Sequence, residues 1–233
     1  MTPGSRWQAR HVLQRFINTM TIEEAERIIS DLTLLRSSGS SVFGGDAHKF
    51  RLKPAMDERS LSQFEASHGV SLPSDYRTFL TYIGSGGAGP YYGLFDFGWM
   101  DHNHTVKRWH EGDGFVGVLR QPFSYSEHWN DLAGRPDSEM ADSDEDEYWR
   151  LMEAFEERYY SAVDGAIPIC HLGCALRHWL VVSGSEAGHV WDDSRADDEG
   201  FSPLSQPGHD RVTFYLWYRT WLDEALQQKA NKP

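Results

Sequence analysis

The sequence predicts an α+β fold: an antiparallel or mixed sheet flanked by helices, preceded by a helical N-terminal extension. Two observations carry this. Apolar residues recur at helical spacing near both ends of the chain, and short β-like runs punctuated by glycine follow one another between residues 166 and 192. No internal repeat is visible. No Gly-x-Gly-x-x-Gly or Walker loop stands between a strand and a helix, so a nucleotide-binding fold is not supported.

Trp7–Met20 has weak helical periodicity through Trp7, His11, Phe16 and Ile17. Thr21 and Glu24 then form a T-x-x-E capping box. Behind it Ile22, Ala25, Ile28, Ile29, Leu32 and Leu35 keep one face apolar. The run from Ser37 to Ser41, with Gly44 and Gly45, reads as a flexible linker. This divides the chain into a helical extension and linker (1–45) and a main domain (46–233).

The main domain opens with a helix near Asp57–Ser67, apolar at Leu61 and Phe64, with Gly69 where a left-handed residue would end it. Pro73 suits the start of the next helix, since a first-turn N–H has no intrahelical partner to lose. Tyr76, Phe79, Leu80 and Ile83 make a buried stripe there, and Gly84 and Gly86 stop it. Tyr91–Phe97 and Phe115–Leu119 read as short strands. Ser143–Tyr160 reads as a helix with Ser143 as N-cap and acids in its first turn, where the helix dipole favours them. The clearest strands are Ala166–Cys170, Leu176–Ser183 and His189–Asp192, the last two joined as a hairpin through Gly184, Ser185 and Gly188. A strong amphipathic helix closes the chain, with Phe214, Trp217, Tyr218, Trp221, Leu222, Ala225 and Leu226 on one face.

Composition narrows the function. A chain of 233 residues with 39% hydrophobic and 13% aromatic residues excludes wholesale disorder. At that size a single core buries roughly 70–75% of the extended surface. The formal charge of −13 repels phosphate backbones, so nucleic acid is not expected as a partner and a basic protein is. Cys170 and Cys174 are the only cysteines, which rules out a disulfide framework and fits a reducing cytoplasm. No signal peptide is evident, and the longest aliphatic run, about Trp179–Val182, is far short of the ~20 residues that cross a bilayer.

Individual motifs then point to a family. Leu72-Pro73-Ser74-Asp75-Tyr76-Arg77-Thr78-Phe79-Leu80, ending in Gly84-Ser85-Gly86-Gly87, resembles the L-P-x-D-Y-x-x-F-L…G-x-G-G segment of the SUKH (Smi/Knr-type) superfamily. Glu65 and Gly69 are similar to its E-x-x-x-G approach, and Gly87 to Phe95 to its G-x-G-P-x-Y-G-L-F continuation. Ile167-Pro168-Ile169, Gly173-Cys174-Ala175 and Leu180-Val181-Val182 resemble the family's central hairpin. Gly188 to Asp192 resembles its G-x-V-W strand, and Thr213–Leu226 its terminal helix. The matches run in family order over about residues 57–228; residues 1–45 and the insertion from Asp101 to about Tyr160 lie outside the pattern.

What the resemblance implies is selective protein binding by a non-enzymatic domain, its specificity held in variable surface positions. Bacterial members of the superfamily largely serve as immunity proteins against toxins, and fungal relatives are linked to cell-wall synthesis and signalling. The motif residues themselves are scaffold: Leu72, Tyr76, Phe79 and Leu80 are expected to bury on the sheet, and Trp191 to pack under the terminal helix.

Three clusters invite a site. Asp101, His102 and His104 suggest a metal, but i, i+2 ligands need further convergent residues and no H-E-x-x-H or C-x-x-C companion is present. Cys170, His171, Cys174 and His178 suggest a nucleophile or zinc, but neighbours on a strand point to opposite faces and free cysteine is commonly buried. The third is acidic. From Asp137 to Glu157 ten residues are acidic against one base, Arg150. Such a run is either a solvated face or an electrostatic patch for a basic partner. The candidate binding residues are therefore Asp142, Asp144, Glu145, Asp146 and Glu147, with Trp149 and Phe155 as aromatic anchors and Asp192 and Asp193 as a second patch.

The expectation is a cytoplasmic immunity protein that binds a cognate polymorphic toxin, such as a nuclease, through an acidic surface, needing no cofactor or metal. The alternatives are a regulatory or scaffold binder, or a hydrolase using His102/His104 or Cys170/His171.

Overall fold

The computed structural model describes residues 20–37, 42–102, 105–112, 116–161 and 163–231. Its helices are α1 (Ile22–Ser37), α2 (Gly45–His48), α3 (Glu58–His68), α4 (Ser74–Thr78), α5 (Met140–Ser143), α6 (Glu145–Tyr160) and α7 (Phe214–Ala230). Strands β1 (Trp99–His102) and β2 (Thr105–Arg108) form a hairpin. Strands β3 (Ala166–Gly173), β4 (Leu176–Val181), β5 (Val190–Ser194) and β6 (Gly200–Pro203) form an antiparallel sheet in the order β3-β4-β5-β6. The fold is α+β.

Pleat alternation assigns the two faces of this sheet. His178 and Asp192 are cross-strand partners on one face, and His178 meets Trp217 of α7 edge-on, ring centroids 5.6 Å apart. Trp179, Trp191 and Asp193 point the other way. There Trp191 packs on Phe123 (4.8 Å) and Phe201 (5.5 Å). The expectation that Trp191 lies under the terminal helix is thus corrected: β5 turns it to the face away from α7. Both sheet edges are covered. Leu94 bridges to Cys170 beside β3, and Trp129 bridges to Phe201 beside β6, which removes open edges that would template aggregation.

The motif residues have structural work. Asp57 caps α3 through Ser60 N, and Gly69 ends the helix in the left-handed region at φ 64°. Glu65 then accepts from Leu72 N at 2.9 Å. The stripe Tyr76, Phe79, Leu80, Ile83 is buried, and α4 widens at Phe79–Ile83 into a π-turn closed by Gly84 N–H to Phe79 O. Asp75 is buried although charged. One carboxylate oxygen accepts from Tyr76 N (2.8 Å) and the other from Tyr215 N (2.9 Å) in the first turn of α7. Burial pushes this carboxyl up, opposed by the two N–H bonds. Together with Thr213, which accepts from Leu216 N, Asp75 caps the terminal helix from 140 residues away in sequence.

Three sequence expectations change. Tyr91–Phe97 is not a strand: only Leu94 bridges, to Gly87 and Cys170, because Tyr91 and Gly93 take positive φ and break the pleat. At Gly87 (φ 96°) a Cβ would lie 2.4 Å from Arg51 O, so this crossing of two backbones requires glycine. Phe115 lies outside the described residues, and after it only Val116 forms a bridge, to Glu111. The acidic helix starts at Glu145 with Asp144, not Ser143, as the cap, because Met140–Ser143 already forms a turn of its own. The hairpin β1–β2 and strand β6 were not anticipated.

The helix read over Trp7–Met20 lies outside the described residues except for Met20, as do residues 38–41 of the linker. The remainder of the linker is packed. Gly44, at φ 73°, sits so close to Tyr91 that a Cβ would overlap its carbonyl, and Gly45 begins α2. Thr21 caps α1 by accepting from Glu24 N, but Glu24 does not close the box; its carboxylate accepts instead from Tyr215 OH (2.9 Å). Ala25, Ile28, Leu32 and Leu35 are buried in the same core as α7, whereas Ile22 and Ile29 are exposed. Asp31 pairs with Arg219 at 2.7 Å. The boundary at residue 45 is a proposal about where the main domain begins. We expect proteolytic cleavage between residues 37 and 42 to leave two fragments that elute together. We also expect deletion of residues 1–45 to lower the melting temperature by at least about 5 °C, since Ile28, Leu32 and Leu35 each contribute about 1.5–3 kcal/mol on burial. Fragments that separate, with an unchanged melting temperature, would show that α1 is only loosely attached.

Candidate functional site

The acidic arm is built by α5 and α6. Asp144 caps α6 by accepting from Glu147 N (3.1 Å), so the chain places Glu145, Asp146 and Glu147 in the first turn, where unpaired N–H groups favour negative charge. Asp142, Asp144, Glu145 and Asp146 are exposed and Glu147 is half-exposed. Arg150 forks onto Glu147 (2.6 and 2.7 Å) and holds its carboxyl below the usual carboxylate range. Trp149 stands among these charges with 58% of its surface exposed, its ring edge-on to Tyr148.

Phe155 faces the other way. It is 6% exposed, stacked on Tyr159 at 5.1 Å, with the Arg135 and Arg158 guanidiniums over its ring at 6.0 and 5.6 Å. Arg135 in turn pairs with Asp198, and Arg158 with Asp131 (2.7 Å). Phe155 therefore fastens α6 to the body and presents no surface to a partner.

The second acidic patch divides in the same way. Asp193 is buried under a forked pair with Arg195: Nε to Oδ1 at 2.7 Å and a second N–H to Oδ2 at 2.8 Å. Trp179 Nε1 also donates to Asp193 (3.0 Å), and Arg195 donates to Tyr159 O (3.0 Å). Rings of Phe201 and Tyr160 cover the guanidinium. This is an interior charge pair tying β5 to α6. Asp192 is half-buried; burial pushes its carboxyl up, but bonds from His178 and Ser194 outweigh that and hold it below the usual range. Asp197 and Glu199 of that stretch are exposed, and Asp198, like Asp192, is half-buried.

The two chemical clusters fare differently: Cys170 and His178 meet as cross-strand partners of β3 and β4 while His171 pairs with Arg177, and the Asp101–His104 run lies partly outside the described residues. His102 ends β1, and His104 lies outside the described residues. Cys170 is fully buried, its thiol pointing at Pro90 O (3.2 Å) and pushed well up by burial, which disfavours the thiolate a nucleophile needs. Cys174 sits exposed in the β3–β4 turn at φ 49°. Among the described residues no group of three or more His, Cys, Asp or Glu side chains converges as metal ligands would.

Sequence reading missed one region. On the α7 face of the sheet Phe43 (67% exposed) packs edge-on against Tyr91 and Tyr92, ring centroids 6.2 and 5.5 Å apart. Beneath them opens a cleft of about 380 Å³, floored by Trp217 and Trp221. The signal available in the sequence was Gly44 beside Phe43, and the Tyr91-Tyr92 pair.

Residues 55–205 match the model of the SMI1 / KNR4 family (SUKH-1). That span takes in α3 through β6, leaving α1, α2 and α7 outside it. No curated protein and no solved structure matches the chain. No helix among the described residues is long and apolar enough to cross a membrane.

Proposed function

The chain belongs to the SMI1 / KNR4 family (SUKH-1), and on that premise we propose that it is a cytoplasmic immunity protein. It neutralises a cognate toxin domain by binding to it, without catalysis and without a cofactor. The partner is a protein with a basic surface, such as the substrate cleft of a nuclease. What supports this reading is the arm α5–α6. Its exposed carboxylates far exceed the count of nearby bases, and they surround one solvent-facing tryptophan. An aromatic anchor in a charged rim has the anatomy of a binding hot spot. The two free thiols suit a reducing compartment.

The test is kinetic. Replacing Asp144, Glu145, Asp146 and Glu147 by their amides should leave the fold intact, because these side chains touch little beyond the helix cap and Arg150. Association with the cognate toxin domain should slow about tenfold or more at low salt, with dissociation changed less. The difference should shrink as salt rises, since exposed charges are screened over about 8 Å at physiological ionic strength. Removing Trp149 should act mainly on dissociation. A variant that associates as fast as the parent and still protects cells would mean the arm is only a solvated face.

A further inference from the structure

We propose that the cleft between Phe43, the Tyr91 turn and α7 is a second binding site, one that takes an arginine side chain of a partner protein. Four observations converge on it. The first is the wall chemistry: the rings of Phe43, Tyr91, Trp217 and Trp221 surround a space of about 380 Å³. Aromatic faces attract guanidinium groups, which are planar and weakly hydrated and stack where a lysine ammonium does not.

The second is charge. Glu224 projects from α7 into the cleft and is exposed, with no ion-pair partner among the described residues. It and Asp192 lie close enough to raise the Tyr91 hydroxyl above its ordinary range, after burial, which contributes most. An arginine fork would answer the Glu224 carboxylate with two donors.

The third is an orphaned acceptor. His178 lines the cleft and is almost fully buried. Its Nε2 lies 3.3 Å from Asp192 Oδ1, so in the neutral ring the hydrogen sits on Nε2 and Nδ1 is an acceptor. That Nδ1 has no partner among the described residues. A buried polar atom left unpaired is unfavourable, and a donor entering the cleft would remove that cost.

The fourth is backbone strain. Tyr91 is held at φ 52°, a left-handed conformation unfavourable for a bulky residue, with Gly44 pressed against its carbonyl. Such outliers persist where the surroundings over-determine them and cluster at ligand clamps. Here the strain sets the Tyr91 ring on the rim of the cleft.

This site is separate from the acidic arm. It opens on the α7 face of the sheet, whereas α6 packs through Tyr159 on the other. The test uses blocked arginine (N-acetyl-arginine amide) with full-length protein, read by two-dimensional NMR. Saturable shifts should appear at Tyr91, Trp217 and Trp221. The neutral isostere N-acetyl-citrulline amide should produce none at equal concentration, and blocked lysine should bind at least about threefold more weakly. Glu224→Gln, a change at an exposed side chain, should weaken arginine binding about fivefold or more, and Tyr91→Ala likewise. The four-residue amide variant of the acidic arm should respond to arginine as the parent does, so failure of either site leaves the other standing. Citrulline acting as strongly as arginine, shifts confined to Asp142–Glu147, or an unchanged response in Glu224→Gln would each overturn the proposal.

Discussion

Asp193→Ala should destabilise the protein by about 3–5 kcal/mol, read as a lower urea midpoint at unchanged slope. Asp193 and Arg195 are 4% and 2% exposed, so removing the carboxylate strands a guanidinium in a site lined by Phe201, Tyr159 and Tyr160. It also unpairs Trp179 Nε1. The penalty arises from the uncompensated charge and not from a large net gain of the pair. Replacing both members with apolar side chains of similar volume should therefore recover most of the loss. A double variant as unstable as the single one would show that the pair itself, and not the stranded charge, holds β5 to α6. An Asp193→Ala variant within about 1 kcal/mol of the parent would place the site in contact with water.

Trp191→Ala should cost a similar amount, about 3–5 kcal/mol, for a different reason. The indole is fully buried between Phe123 and Phe201, and close-packed neighbours on a sheet cannot collapse into the space it leaves. Trp191→Phe should cost far less, about 1.5 kcal/mol or under, because Trp191 Nε1 is buried with no partner among the described residues and phenylalanine removes that donor. Thermal unfolding of the two variants separates these contributions. Equal losses in both would mean that the indole N–H is satisfied by water.

Together these residues explain why the second acidic patch looked more promising in sequence than in space. Asp192 and Asp193 are adjacent acids after a tryptophan, and charge alone does not say which way a strand turns its side chains. Register decides it: pairing of Trp191 with Trp179 sends Asp193 inward to Arg195 and Asp192 toward His178. Phe155 and Trp149 divide by the same logic on a helix. They lie six residues apart, about 120° around the helix, so the face that buries Phe155 beside Tyr159 leaves Trp149 toward solvent.

Elements whose signals are local were legible in the amino acids alone. The Thr21 cap of α1, Asp57 and Gly69 around α3, the stripe of α4, the glycine-bounded hairpin β4–β5 and the face of α7 each depend on neighbours within a few residues, and each formed as expected. The family motifs were legible for the same reason. Other features depend on pairing between distant segments. Asp75 caps α7, Glu24 turns from its own helix to Tyr215, and Gly44 fits only because the Tyr91 carbonyl arrives against it. The cleft is the sharpest case: Phe43, Tyr91, His178 and Trp221 come from four segments, and periodicity within any one of them carries no trace of the others. Their convergence follows from burying apolar faces on a common sheet, a requirement the chain satisfies only when folded.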